Sequence, residues 1–287
     1  MVSDGNPLIN IGELSRPATV LIEKVSNAVG VLYEPRRIKK RAEAEAEADK
    51  IKYLASKELD DLEQRAVDRL VHQEGRKQRN IEEITAQAAE SLDEDADTEE
   101  LNEDWLAHFF KQCDTVSDVE MQSLWARLLS GEASSPGSYS KRTVDLVASL
   151  DKPDAHLFTR FCQFCWMIGD LTPVIFDVHH QVFKDQGIHF DSLKHLDSLG
   201  LISFESISGY KRQGISKYGT VFYFGTPVNI EFPKDENNEL QIGKALLTQA
   251  GKELAPICGA SKNKSFYDYV VAEWHKNGLV VSTPLST

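Results

Sequence analysis

The chain has 287 residues, 41% of them hydrophobic and 27% charged, which is enough apolar material for a buried core and enough length for two domains. Its formal net charge of −13 excludes nucleic-acid binding by bulk electrostatics, so any such contact needs a local basic patch. Four cysteines without dense spacing point to reduced thiols and a cytoplasmic setting.

The opening MVSDGNPLINIGELS has neither the basic start nor the long apolar run of a signal peptide, and no stretch reaches the ~18 apolar residues of a membrane span. Ser15 and Pro17 then start a helix in which Ala18, Leu21, Ile22, Val25, Ala28, Val29 and Leu32 form one apolar stripe. The polybasic cluster Arg36, Arg37, Lys39, Lys40 and Arg41 follows. Leu21, Ile22, Val25 and Val29 with these five cations define a candidate membrane or partner surface, at the inner membrane face if it meets lipid. Docking on another part of the protein or a sister subunit is the favoured alternative, because the stripe lacks Trp and Phe anchors.

From Arg36 to about Leu92 there is no proline, one glycine (Gly75) and an abundance of helix formers, so a long charged helix is predicted. A narrow stripe through Ala55, Leu59, Leu62, Ala66, Leu70, Ile81, Ile84, Ala88 and Leu92 recurs every eleven residues and predicts self-association through this helix. Asp93 to Asp104 carries eight acids and reads as a solvated linker.

The stretch Trp105 to Asp154 reads as three short helices. The first carries Trp105, Leu106, Phe109 and Phe110. The second is capped by Ser117 and carries Leu124, Trp125, Leu128 and Leu129. The third follows a Pro136-Gly137 loop and is capped by Ser140 or Ser138. Pro153 to Gly169 reads as one buried helix. TPVIFDVHHQVFKDQG carries a strand or short helix, and Phe190 to Leu199 is a helix stopped by Gly200. Val221 to Gly225 and Val228 to Phe232 form a hairpin about Gly225-Thr226-Pro227, and Leu240 to Leu246 leads into a last helix.

Helix, helix, hairpin and helix in this order resemble a winged-helix unit, with Phe190 to Leu199 as recognition helix. Its candidate nucleic-acid contacts are Lys194 and the wing residues Lys211, Arg212 and Lys217. The unit's net acidity makes nucleic acid the less favoured ligand, and an unidentified protein partner the favoured one. The whole is an α+β chain, mostly α: an N-terminal amphipathic helix (1–35), a long charged helix with acidic linker (36–102), a small helical bundle (103–152) and a winged-helix-like domain with a β-hairpin (153–287).

No catalytic, cofactor or metal site is expected. Cys162-x-x-Cys165 near His156, His179 and His180 has no second ligand pair and lies among Phe, Trp and Met, where buried thiols are ordinary. Ser138-x-x-Lys141 has the letters of a serine–lysine motif without its partner motifs, and no phosphate-binding glycine loop occurs.

The text at 12–50, the block at 103–155 and the closing LDSLGLISFES and GKALLTQAGKELAPICG together resemble the bacterial family of domain of unknown function 2806. The middle block, with its LWARLL helix and Pro-bearing loop, is more distantly similar to the abortive-infection alpha proteins. That likeness implies a role in the bacterial response to phage infection, without a known reaction, and supplies no catalytic residues; with no chemistry visible in the residues, the expected protein is non-enzymatic. The alternative reading is a winged-helix DNA-binding regulator dimerised through the long helix.

Overall fold

The computed structural model describes residues 15–30 and 61–283. The protein is a mostly helical α+β chain with antiparallel sheets, divided into two compact units, Met1–Val144 and Asp145–Thr287.

In the first unit Ser15 caps α1 (Arg16–Val29), its hydroxyl accepting from the Ala18 amide at 3.3 Å. The apolar stripe of α1 turns inward: Leu21 and Val25 are fully buried and Ile22 nearly so. It packs against α2 (Asp61–Glu90) and α3 (Glu103–Cys113). The acidic run between α2 and α3 is not a free linker. It makes a 3-10 turn, Thr98–Glu100, and Lys24 Nζ donates to the carbonyls of Glu99 (2.6 Å) and Leu101 (3.2 Å). These ties, with Arg16 lying 3.6 Å from the Glu99 carboxylate, hold an acid-rich segment on α1.

α3 supplies the aromatic centre, with Phe109 stacked on Trp105 and edge-on to Trp125 of α4 (Val119–Ser134), each at 5.1 Å. α4 is capped by Asp118, whose carboxylate accepts from Glu120 and Met121, rather than by the expected Ser117. Ser117 instead donates to Asn80 Oδ1 at 3.2 Å. Asn80 is buried, donates to Asp114 O (2.8 Å), and also accepts from Gln122 Nε2 (3.2 Å). This polar hub fastens α2 to the α3–α4 connection. Ser140 begins α5 (Lys141–Ala148), accepting from the Thr143 amide at 3.2 Å.

In the second unit the stretch Pro153 to Gly169 is not one helix. α6 (Lys152–Cys162) ends there, and β1 (Cys165–Ile168) and β2 (Asp170–Pro173) form a tight hairpin about Gly169. An apolar run buried on nearly every side fits a core strand as well as a core helix, and Gly169 at φ +76° provides the reversal. Two short helices follow, α7 (Gln181–Lys184) and α8 (Phe190–Ser198).

Three antiparallel pairings are then nested. β3 (Ile202–Phe204) pairs with β8 (Ala245–Leu247), β4 (Tyr210–Ile215) with β7 (Asn238–Gly243), and β5 (Tyr218–Tyr223) with β6 (Thr226–Glu231). The innermost turn is Phe224-Gly225, both at positive φ, the geometry of a two-residue hairpin loop, so Pro227 lies inside β6 rather than in the turn. The expected basic loop at 210–217 is mostly strand β4. After α9 (Gln249–Leu254) and α10 (Lys264–Lys276), β9 (Val280–Ser282) completes a five-stranded sheet, β2-β1-β5-β6-β9. α10 buries Phe266, Val270 and Trp274, and Trp166 of β1 meets Tyr223 and Trp274 at 4.8 Å each.

Candidate functional site

The second half of α2 belongs to the core of its unit, with Ile84, Thr85, Ala86, Ala88 and Ala89 buried. The first half does not. From Asp61 to Arg79 no side chain is buried, and Leu62, Leu70 and Val71 are 67%, 57% and 49% exposed. The change falls at Asn80, the hub that clamps the helix. These 19 residues rise roughly 28 Å. Leu62, Ala66 and Leu70 step by four and share one face of the helix, while Val67 and Val71 lie further round it, so the apolar positions are spread over an otherwise charged surface. Leu62, Ala66 and Leu70 belong to the stripe legible in the sequence; Val71 was missed because it lies one position off the eleven-residue recurrence. Ala55 and Leu59, and the cations Arg36, Arg37, Lys39, Lys40 and Arg41, lie outside the described residues.

The apolar part of the candidate membrane or partner surface lies on α1. Leu21, Ile22 and Val25 are core residues of the unit and Val29 is half-buried, so the stripe is used internally. An amphipathic helix seeking water-free surface finds it on α2 and α3.

Each candidate nucleic-acid cation has a carboxylate partner. Lys194 Nζ lies 3.2 Å from Asp197, Lys211 2.8 Å from Glu239, Arg212 3.3 Å from Asp170 and Lys217 3.2 Å from Asp235. Asp170 also takes Lys252 at 2.6 Å, and these contacts hold its carboxyl below the usual range, with the Lys252 hydrogen bond the largest cause. On α8, His195 Nε2 sits 2.7 Å from Asp154. The outward face of α8 therefore presents neutralised charge rather than an excess of cations.

The other candidate chemistries resolve into local structure. Cys162, Cys165 and Cys258 are free, buried and mutually hydrogen-bonded through Cys162, whose thiol is pushed well up by burial first and by its two neighbours second. A thiol held neutral is a poor nucleophile. Among the described residues no group of three or more His, Cys, Asp or Glu is placed to hold a metal ion. His180 caps α7, its Nδ1 accepting from the Val182 amide, and stacks on Tyr269 at 4.1 Å.

Ser138 donates to the Ser135 carbonyl at 2.6 Å within its own turn. That loop is pinned by Glu132, a buried carboxylate accepting from the amides of Gly137 and Tyr139, both at 2.8 Å. Trp105 Nε1 in turn donates to the Tyr139 carbonyl at 2.8 Å. The loop borders an open cleft of about 790 Å³ whose lining includes Asp97, Glu100, Asp104 and Lys141.

These features define an α+β protein in which the first half of one helix stands exposed. Residues 64–271 match the family described as Protein of unknown function (DUF2806), and the chain belongs to that family. No curated protein and no solved structure matches it. Among the described residues no helix is long and apolar enough to cross a membrane.

Proposed function

We propose that this chain is a non-enzymatic, oligomeric protein acting through protein–protein contacts, with the first half of α2 as its assembly element. The observation that carries this reading is the exposed start of α2, where Leu62 and Leu70 share one face and Val71 lies on another, on a helix whose fully buried residues begin at Asn80. Covering the two leucines at those exposures recovers about 2 kcal/mol per copy. Light scattering coupled to size exclusion on the full chain tests it. The wild type should run as an oligomer and a Leu62→Glu/Leu70→Glu variant as a monomer of unchanged circular dichroism. A wild type monomeric across the micromolar range would remove the reading.

A second reading, a DNA-binding regulator dimerised through α2, draws on the order α6, α7, α8, β3 and β8, with Ile175 bridged to Gly243 beside them. That order supports a winged-helix-like arrangement with α8 as recognition helix. The four paired cations favour a protein ligand over duplex for it. Affinity for duplex that falls steeply with salt would support the regulator, and no binding at low salt would end it.

Membrane-surface contact would rest on Arg36, Arg37, Lys39, Lys40 and Arg41 alone, since the apolar stripe of α1 is used inside its unit. A place in phage defence rests on the likeness of the Trp105–Asp154 stretch to abortive-infection alpha proteins. Plating efficiency of phage on cells with and without the gene tests that setting.

A further inference from the structure

Three thiols meet at the corner between α6 and β1, none of them in a disulfide. Cys162 is the last residue of α6 and Cys165 the first of β1. Between them Gln163 stays right-handed helical, at φ −63° and ψ −15°. The Phe164 carbonyl then accepts from the Val174 amide at 2.9 Å, which extends the β1–β2 ladder by one rung. The two cysteines are therefore the ends of a four-residue turn, a geometry that holds its end Cα atoms within about 7 Å. A disulfide tolerates that separation, and the two thiols are already hydrogen-bonded to one another.

Cys258 also reaches Cys162, but it is held from its own side. Its Sγ donates to the Ala255 carbonyl at 3.1 Å, and its carbonyl accepts from the Thr159 hydroxyl at 2.9 Å. A bond from Cys162 to Cys165 closes within one turn, whereas a bond to Cys258 must give up the hydrogen bond to Ala255.

We propose that Cys162 and Cys165 form a redox latch, which a peroxide closes as a disulfide across the corner between α6 and β1. One thiolate attacks a peroxide oxygen, the O–O bond breaks, and the departing hydroxide takes a proton to become water. The resulting sulfenic acid meets the neighbouring thiol; the S–S bond forms, the S–O bond breaks, and the thiol proton leaves with the hydroxyl as a second water. The dithiol loses two electrons and the peroxide gains them. The latch closes and opens slowly, because the two residues are 3% and 4% exposed and burial keeps the Cys162 thiol protonated. A thiol of that kind attacks poorly and also leaves poorly, so the same burial that delays closure makes the closed form persist. The proposal stands independently of the assembly role of α2.

The test treats the folded full chain with dilute hydrogen peroxide and follows its circular dichroism throughout. Thiols counted after unfolding should fall from four to two, and peptide mapping should place the link between Cys162 and Cys165. Dithiothreitol should restore all four thiols. Cys258→Ser should still form the link, its count falling from three to one; if that variant does not fold, the map of the wild type decides alone. A link between Cys162 and Cys258 overturns the assignment of partners. Four intact thiols, oxidation to sulfinic acid with no link, or a link that appears only after the chain unfolds overturns the latch itself.

Discussion

Replacing Glu132 with alanine should detach the loop between α4 and α5. The carboxylate is 3% exposed and accepts from two backbone amides at 2.8 Å each, of which the Tyr139 amide is itself buried. A hydrogen bond to a charged acceptor contributes about 1.5–3 kcal/mol. Two of them, offset by the cost of keeping a carboxylate out of water, leave a net loss near 3 kcal/mol. In a unit of this size that lowers the melting temperature by roughly 6–12 °C. Glu132→Gln keeps one acceptor oxygen but turns an amide toward the other donor, so it should cost about 2 kcal/mol. Urea denaturation gives the stability, and tryptophan fluorescence reports on the loop, because Trp105 Nε1 donates to Tyr139 O. If Glu132→Ala stays within ~0.5 kcal/mol of wild type with unchanged fluorescence, the carboxylate does not hold the loop and the reasoning fails.

Gly243→Ala should be among the most damaging single changes in the second unit. Its φ is +111°, and an added Cβ would lie 1.9 Å from the Ile175 carbonyl oxygen, so strain and collision combine to cost about 4 kcal/mol or more. Gly219→Ala is the control, its Cβ meeting nothing nearer than a Phe232 ring carbon at 3.9 Å, and soluble yield with dye binding separates the two. At high pH, burial pushes the phenols of Tyr223 and Tyr269 up to about 12. The unfolded chain ionises them near 10. Their contribution to stability is therefore full below about pH 10 and is lost as the pH rises towards 12. Phenolate absorbance should show at least two tyrosines fewer than the total ionising at pH 11 while the chain stays folded, and the ionising of Tyr223 and Tyr269 with the rest would refute the assignment.

The helices were largely legible because each carries both an apolar period and a capping residue. Ser15, Ser140 and the Phe190–Ser198 segment needed no tertiary information. Legibility failed where two structures satisfy the same pattern. The run Phe161 to Ile168 is apolar and buried except at Gln163 and Met167, so period alone could not separate helix from strand. Tyr210–Ile215 pairs with Asn238–Gly243 across a register shift, and no local alternation announces a strand whose face is half wet. α10 carries a signal of its own in the sequence, since Phe266, Val270 and Trp274 step by four after the Asn263 cap. For the candidate site the sequence placed the apolar stripe on α2 but not its division at Asn80, which depends on Asp114, Ser117 and Gln122 arriving from another element.

The nesting of the three strand pairings in the second unit has a kinetic consequence. Joining β3 to β8 directly would close a loop of about 40 residues, an entropic cost of about 3 kcal/mol before any contact repays it. The two-residue turn at Phe224-Gly225 instead lets β5 and β6 meet first, within the microseconds of hairpin formation. That hairpin shortens the effective loop for β4 and β7, which in turn shortens it for β3 and β8. Loop-closure entropy thus favours assembly from the innermost turn outward, an order set by concentric registers rather than by the strength of any one strand.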